Sequence, residues 1–371
     1  MKVRAILVHR DLVFHGGVPR SFLNLTRHVD RDRVEVAVAS LQPIDTKMRD
    51  LFSACGVAVH ELQDSYLTGA RAMRSLIRGY RSNVIVCGSF RSYVVAKLAS
   101  AGLSTRVVFW VPGINLMENP AKRLVFRALA KKDTLVFISR AVAKEHLYPA
   151  HRGSSYIVYH GIEDPFTSSE YAPYPRTMRQ EFNIPSDAIV LGYIAEFIPL
   201  KDHRSLICAF DMLARVAPNL HLLLIGTGAI HQEMVELARS LSTHDRIHFL
   251  GARLDARRLL GLVDVYVHPA VNEGFGLAVA EAMLAGIPVV AANAGALPEF
   301  VIDEETGLLF RPHDARDLQD KLERLIADPQ LRVWLGKSAR AYSAQQFNIM
   351  RFANEMTRVL ETEAALALDR H

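Results

Sequence analysis

Short runs of β-branched and aliphatic residues recur in the first part of the chain, at VRAILV from Val3, VEVAVAS from Val34, NVIVCGS from Asn83, RVVFWV from Arg106, TLVFIS from Thr134 and SYIVYH from Ser155. Between them apolar residues return at helical spacing. Continuous apolar strands alternating with helices predict a parallel sheet covered on both faces, a Rossmann-like half. From Gly161 to Pro185 the alternation breaks at Pro165, Pro173, Pro175 and Pro185, with Thr167, Ser168 and Ser169 among them, so the domain linker is placed there. A second series follows: AIVLGYIA from Ala188, HLLLIGTG from His221, RIHFLG from Arg246, DVYVHP from Asp264, PVVAA from Pro288 and TGLLF from Thr306. The pattern gives an acceptor-side Rossmann-like domain over 1–165 and a second doubly wound domain over 166–345. A helix-rich segment over 346–371 is placed to pack back on the first domain. Two such domains are expected to face a cleft, and ligands of open parallel sheets bind outside the carboxyl ends of the strands.

Composition narrows the class. At 371 residues and 50% hydrophobic content the chain can bury two cores. Its longest apolar runs are strand-sized, far below the roughly 20 residues of a membrane-spanning helix. The opening MKVRAILV lacks the pattern of a signal peptide, so a cytoplasmic protein is expected. Cys55, Cys87 and Cys208 are scattered without metal-ligand spacing, which indicates neither a disulfide framework nor a zinc site. Residues 1–170 hold 24 Lys and Arg against 14 Asp and Glu, a net of +10, and the remainder 20 against 25, a net of −5. A basic first half points to anionic partners such as a membrane surface or a phosphate-bearing acceptor, or to a merely solvated surface. Arg71, Arg74, Arg78 and Arg81 form one basic stretch. Lys122, Arg123, Arg127, Lys131 and Lys132 with Leu124, Val125, Phe126 and Leu129 form another. Each reads either as a peripheral membrane contact or as a surface helix packed on the sheet. Nucleic-acid binding is not expected, because no recognised motif accompanies the charge.

The segment NEGFGLAVAEAMLAGIPVV, Asn272 to Val290, joins a strand end to a glycine-opened helix and then to the next strand. Gly274 and Gly276 let the backbone approach a ligand, and the N–H groups of Phe275, Gly276 and Leu277 at the helix start form a diphosphate cradle. Glu281, further into the helix, is suited to accept from a ribose diol. The plain structural alternative makes Glu273 a helix cap and puts Glu281 on a solvated face.

The longer stretch HPAVNEGFGLAVAEAMLAGIPVVAANAGALPEFVIDEETGLLF resembles the signature segment of the retaining family 4 glycosyltransferases (glycosyl transferases group 1), including their E-x7-E motif. GTG at Gly226 and FLG at Phe249 stand where that family has matching turns, and the resemblance covers most of 188–330. It implies a GT-B fold and a metal-independent, retaining transfer from a nucleoside-diphosphate sugar, UDP or GDP. The acceptor would be a saccharide, a lipid-linked molecule or a small molecule. On that resemblance Glu281 binds the ribose, Glu273 sits beside the donor sugar and diphosphate, and Phe275 to Leu277 hold phosphates or sugar hydroxyls. Lys201, in AEFIPLKDH, matches the diphosphate lysine; a cation there stabilises charge on the departing phosphate. His15-Gly16-Gly17 follows the first strand, and Gly16 and Gly17 would lie against the diphosphate. Glu273, Lys201 and His15 are therefore the candidate catalytic residues.

Two positions depart from the family. Glu196 stands where an arginine is usual, with His203 and Arg204 the nearest replacement cations. Pro112 stands where many members carry a histidine that contacts the donor sugar, for which His15 is ranked ahead of His9 and His160. DRD at Asp30 precedes a strand, a poor place for a metal, so no metal site is expected. The competing readings are a degenerate GT-B protein that binds nucleotide or a partner without catalysis, and a different reaction on the same fold.

Overall fold

The computed structural model describes residues 2–13, 17–114, 119–166 and 172–368. They form two compact units, one running to Gly161 and resuming at Ile349, the other Ile162–Asn348. In the first, strands and helices alternate: β1 (Val3–His9), α1 (Gly17–His28), β2 (Val34–Ser40), α2 (Thr46–Ala54), β3 (Ala58–Glu61), α3 (Tyr66–Tyr80), β4 (Val84–Cys87), α4 (Phe90–Ser100), β5 (Arg106–Val111), α5 (Pro120–Leu129), β6 (Thr134–Phe137), α6 (Arg140–His146) and β7 (Ser155–Ile157). The sheet order is β3-β2-β1-β4-β5-β6-β7, and the pairings are parallel. Ile6, Leu7, Val86, Phe109 and Val136 are buried, as near-continuous apolar runs require when helices cover both faces. β3 was not anticipated. Its four residues are partly exposed at the sheet edge and form no apolar run.

The second unit repeats the plan: β8 (Ile189–Ile194), α7 (His203–Ala214), β9 (Leu220–Ile225), α8 (His231–Arg239), β10 (Ile247–Phe249), β11 (Val265–His268), α9 (Leu277–Leu284), β12 (Val289–Ala292), β13 (Leu308–Phe310), α10 (Ala315–Ala327) and α11 (Pro329–Gln346). Its sheet order is β10-β9-β8-β11-β12-β13, again parallel. The two expected Rossmann-like sheets are therefore both present. Part of the segment read as linker is built into this second unit. The wholly buried Arg179 guanidinium donates to the Leu262 carbonyl (2.7 Å), the Ala188 carbonyl (2.8 Å) and Asp264 Oδ2 (2.7 Å). Thr167, Ser168 and Ser169 lie outside the described residues.

After α11 the chain returns to the first unit as α12 (Ile349–Leu368), packed on α1, β1, β4 and β5. Its Glu363 is fully buried and accepts from Thr134 Oγ1 (2.6 Å) and Arg106 Nε (3.0 Å). Gly161 permits the approach, since a Cβ there would lie 2.6 Å from Phe352 Cβ. Among the described residues no helix is long and apolar enough to cross a membrane.

Candidate active site

A part-buried charged cluster of the second unit lies where β11 ends and α9 begins. His268 closes β11, and Glu273 lies in the loop that follows. That loop is pinned by its backbone: the Ala296 N–H donates to the Glu273 carbonyl (2.9 Å), and Gly295, at φ +57°, passes so close that a Cβ would sit 2.4 Å from the same oxygen. Gly276, the N-cap of α9, adopts φ +90°, a left-handed conformation costly to any residue with a Cβ. Phe275 buries its ring against Phe300 and Phe347, which leaves only its backbone for a ligand. The first N–H groups of α9 have no acceptor within the helix, the usual origin of an anion site.

Lys201 reaches this point from the loop after β8. The Val271 N–H donates to the Leu200 carbonyl (3.0 Å) and the Tyr193 hydroxyl to the Lys201 carbonyl (2.8 Å), so the two loops are fixed together. Lys201 Nζ lies 2.5 Å and His268 Nε2 3.0 Å from Glu273 Oε2. Burial alone would raise the Glu273 carboxyl, but the His268 hydrogen bond and the Lys201 ammonium hold it well below the usual carboxylate range. Burial pushes His268 down against the pull of Glu273, so the imidazole is neutral and donates through Nε2. The arrangement is one ammonium and one fixed carboxylate beside a helix N-terminus.

One turn into α9, Glu281 is 5% exposed, with Arg257 Nε 3.7 Å from its Oε1. It does not lie on a solvated face. Gly226 and Gly228 shape the neighbouring turn, because a Cβ on Gly226 would overlap the Ala195 carbonyl at 1.9 Å.

Several expectations change. Glu196 is exposed. Neither proposed replacement cation serves there in this structure. Arg204 turns outward to Glu233 (2.6 Å). His203 is buried and stacked on Phe197 (centroids 3.9 Å apart), and burial, then the positive groups around it, push it down to about 3, so it is neutral at pH 7. Pro112 follows β5, and the carbonyl of the next residue, Gly113, accepts from His146 Nε2 (2.9 Å). His15 and Gly16 lie outside the described residues, while Gly17 opens α1, where its carbonyl accepts from Ser21 Oγ (3.0 Å). His160 is not placed to meet a ligand: it is buried, its Nδ1 lies 2.7 Å from Ser21 Oγ, and burial pushes it down to about 3. Asp30 of the DRD sequence accepts the Asp32 N–H (3.0 Å) as a turn device, and no cluster of His, Cys, Asp and Glu suited to a metal occurs among the described residues.

Sequence reasoning missed His268, Arg257 and Gly295. A strand-terminal histidine five residues before Glu273 was a readable signal for the first. Nothing in the spacing marked the other two.

Residues 176–342 match the family described as glycosyl transferases group 1. That region is a group 1 glycosyltransferase domain. It contains Lys201, Arg257, His268, Glu273 and Glu281. Over 280 residues the chain is 31% identical to a D-inositol 3-phosphate glycosyltransferase of Saccharomonospora viridis, a match covering 70% of this chain and 61% of that protein. The chain thus spans about three fifths of that curated relative. In fold it is similar to Anabaena HepE, solved in complex with UDP (TM-score 0.84, 22% identity, covering 98% of this chain and 100% of that one). It is likewise similar to the sucrose-phosphate synthase of Thermosynechococcus elongatus (TM-score 0.81, 20% identity, covering 98% and 100%). Both likenesses are of fold, the GT-B arrangement of two Rossmann-like domains.

Proposed function

We propose that this chain is a retaining glycosyltransferase that moves a sugar from a nucleoside-diphosphate donor, UDP before GDP, to a hydroxyl of a saccharide, lipid-linked or small-molecule acceptor. The observation that carries the reading is the Lys201–Glu273–His268 cluster at the glycine-opened start of α9. As the bond from the anomeric carbon to the diphosphate breaks, negative charge grows on the leaving oxygen. Lys201 and the free N–H groups of α9 stabilise that charge more in the transition state than in the bound donor. Glu273, kept anionic, faces the positive charge developing on the sugar. Glu281 takes the ribose hydroxyls, and Gly274 to Leu277 the phosphates. The acceptor oxygen bonds to the same face of the anomeric carbon, and its proton passes to the departing phosphate oxygen, so no covalent enzyme intermediate and no metal is invoked. His15, Gly16 and Gly17 belong to this proposal through the family resemblance. UDP ranks first because HepE was solved with it.

The basic first unit supports a peripheral membrane contact. α5 buries only Phe126, while Leu124 (71% exposed) and Val125 (45%) face outward among Lys122, Arg123 and Arg127. We place the protein in the cytoplasm, where the free thiols of Cys55, Cys87 and Cys208 are at home.

A second reading, a nucleotide-binding protein without catalysis, draws on the exposed Glu196 in the place of a cation. Binding and hydrolysis of UDP-, GDP- and ADP-sugars by the native chain, Lys201→Ala and Glu281→Ala decide between them. Donor cleavage weakened by both changes supports the transferase. Binding without cleavage in the presence of candidate acceptors supports the second reading, and no binding overturns the site.

A further inference from the structure

The sheet of the first unit reverses its strand order between β1 and β4, the switch point at which doubly wound sheets leave a crevice beyond the carboxyl ends. His9, the last residue of β1, stands there with Asp11. Its Nδ1 lies 2.6 Å from the Asp11 carbonyl and 3.1 Å from Asp11 Oδ1. Both oxygens can only accept, so Nδ1 carries a proton, and in the neutral ring Nε2 presents its lone pair; the Asp11 N–H, 3.3 Å from Nδ1, is the longer competing contact. The hydrogen bond to His9 outweighs partial burial and keeps the Asp11 carboxyl below its usual range. The ring is held edge-on against Phe22 (6.5 Å, 90°) and beside Gly88, where a Cβ would come within 2.9 Å of Cδ2. It keeps 13% of its side-chain surface exposed, and Nε2 has no hydrogen-bond partner among the described residues.

Four other imidazoles of this unit are committed to structure: His146 to the Gly113 carbonyl, His160 to Ser21, His151 to the Ala130 carbonyl and His28 to the Asn24 carbonyl. The charges around His9 also balance. Arg10 and Arg91 lie 3.6 and 2.6 Å from Asp64, which Gln42 also contacts at 2.8 Å, and Asp11 supplies the second carboxylate. Two guanidinium groups against two carboxylates suit a neutral polyol better than a phosphate.

We propose that His9 and Asp11 form the acceptor-hydroxyl station of this protein, with His9 Nε2 accepting the hydrogen bond of a neutral polyol hydroxyl at the carboxyl edge of β1. The inference deepens the glycosyltransferase reading and rests on it for the word acceptor. His9 is the binding residue. Asp11 is a positioning residue that fixes the tautomer and orientation of the ring.

The test uses the full chain with labelled histidine, titrated with methyl α-D-glucopyranoside and with myo-inositol, in the presence and absence of UDP. At least one probe is expected to shift the His9 ring signals while leaving those of His160 in place. His9→Ala weakens that probe roughly tenfold, the loss of one hydrogen bond, and His9→Gln, whose amide oxygen can accept, recovers part of it. Asp11→Ala weakens it as well, and Asp11→Asn, which still offers an oxygen to Nδ1–H, restores it. UDP binding by calorimetry stays within about twofold in every variant, and matching thermal melts show that the variants fold. Equal probe binding in native protein and His9→Ala, or binding of neither probe, overturns the proposal. Binding of an inositol phosphate with neither neutral probe overturns it in favour of an anionic acceptor. Failure of the native chain to bind UDP while the probes still shift His9 counts against the transferase reading alone.

Discussion

Removal of the Glu363 carboxylate tests what holds α12 to the first unit. Glu363→Ala leaves the Arg106 guanidinium, only 14% exposed, without its carboxylate and the buried Thr134 hydroxyl without its acceptor, and opens a small void. Breaking a buried ion pair from one side costs about 3–5 kcal/mol, mostly the penalty of the charge left behind. Glu363→Gln keeps the shape and one acceptor but turns an amide N–H₂ toward a donor, a cost of about 1–3 kcal/mol. The chain has two tryptophans. Trp110 is buried with its ring 5.6 Å from Phe352 of α12, while Trp334, in the second unit, is half exposed. In a Trp334→Phe background, fluorescence during urea unfolding therefore reports on the first unit alone. With a urea slope of about 2 kcal/mol/M, the alanine change lowers the midpoint by about 1.5–2.5 M, and the glutamine change by roughly half as much. A fall of less than about 0.3 M in the alanine variant would refute the reasoning, because the buried pair would then contribute nothing beyond what water supplies.

Three further outcomes are expected. His221 Nδ1 lies 3.0 Å from His248 Nε2, and burial pushes both rings down, His248 to about 4. Unfolded histidine binds its proton near pH 6.5, so the second unit keeps this stability above that pH and loses it as pH falls toward 4; His248→Gln flattens the slope of unfolding free energy against pH by up to one proton, and an unchanged slope counts against the pair. Gly276→Ala forces a Cβ into φ +90° and to 3.2 Å from Leu297 Cδ2, so it lowers stability by about 1–2 kcal/mol and weakens UDP binding by calorimetry; native affinity would show that α9 does not need this opening. Flotation with vesicles rich in phosphatidylglycerol recovers the native chain and far less of Leu124→Ser/Val125→Ser, and binding falls with salt; equal recovery on neutral phosphatidylcholine would remove α5 from the membrane proposal.

The sheets were legible because buried parallel strands must be apolar at every position, and runs such as VVFWV leave few other choices. β3 was not, since Ala58 and Glu61 face solvent at an edge and carry no pattern. Around the candidate site, glycine spacing pointed to the turn before α9. Distance in sequence misled at the start of α7, where His203 and Arg204 follow Lys201. A helix sends consecutive side chains about 100° apart, so one neighbour went into the core and the next out to Glu233. The converse holds for Lys201 and Glu273, which meet although 72 positions separate them. Only the strand order brings them together.

The return of α12 to the first unit has a consequence for synthesis. The second unit is one continuous stretch and can complete itself as soon as it leaves the ribosome, whereas the first, although begun earlier, must wait for residues near 363. Until they arrive, Arg106 and Thr134 lack their buried carboxylate partner, and the part of the sheet that α12 will cover stays open to water. A chain interrupted shortly before α12 would therefore present a finished second unit beside an unfinished first one, a product that chaperones and proteases can tell from the complete protein.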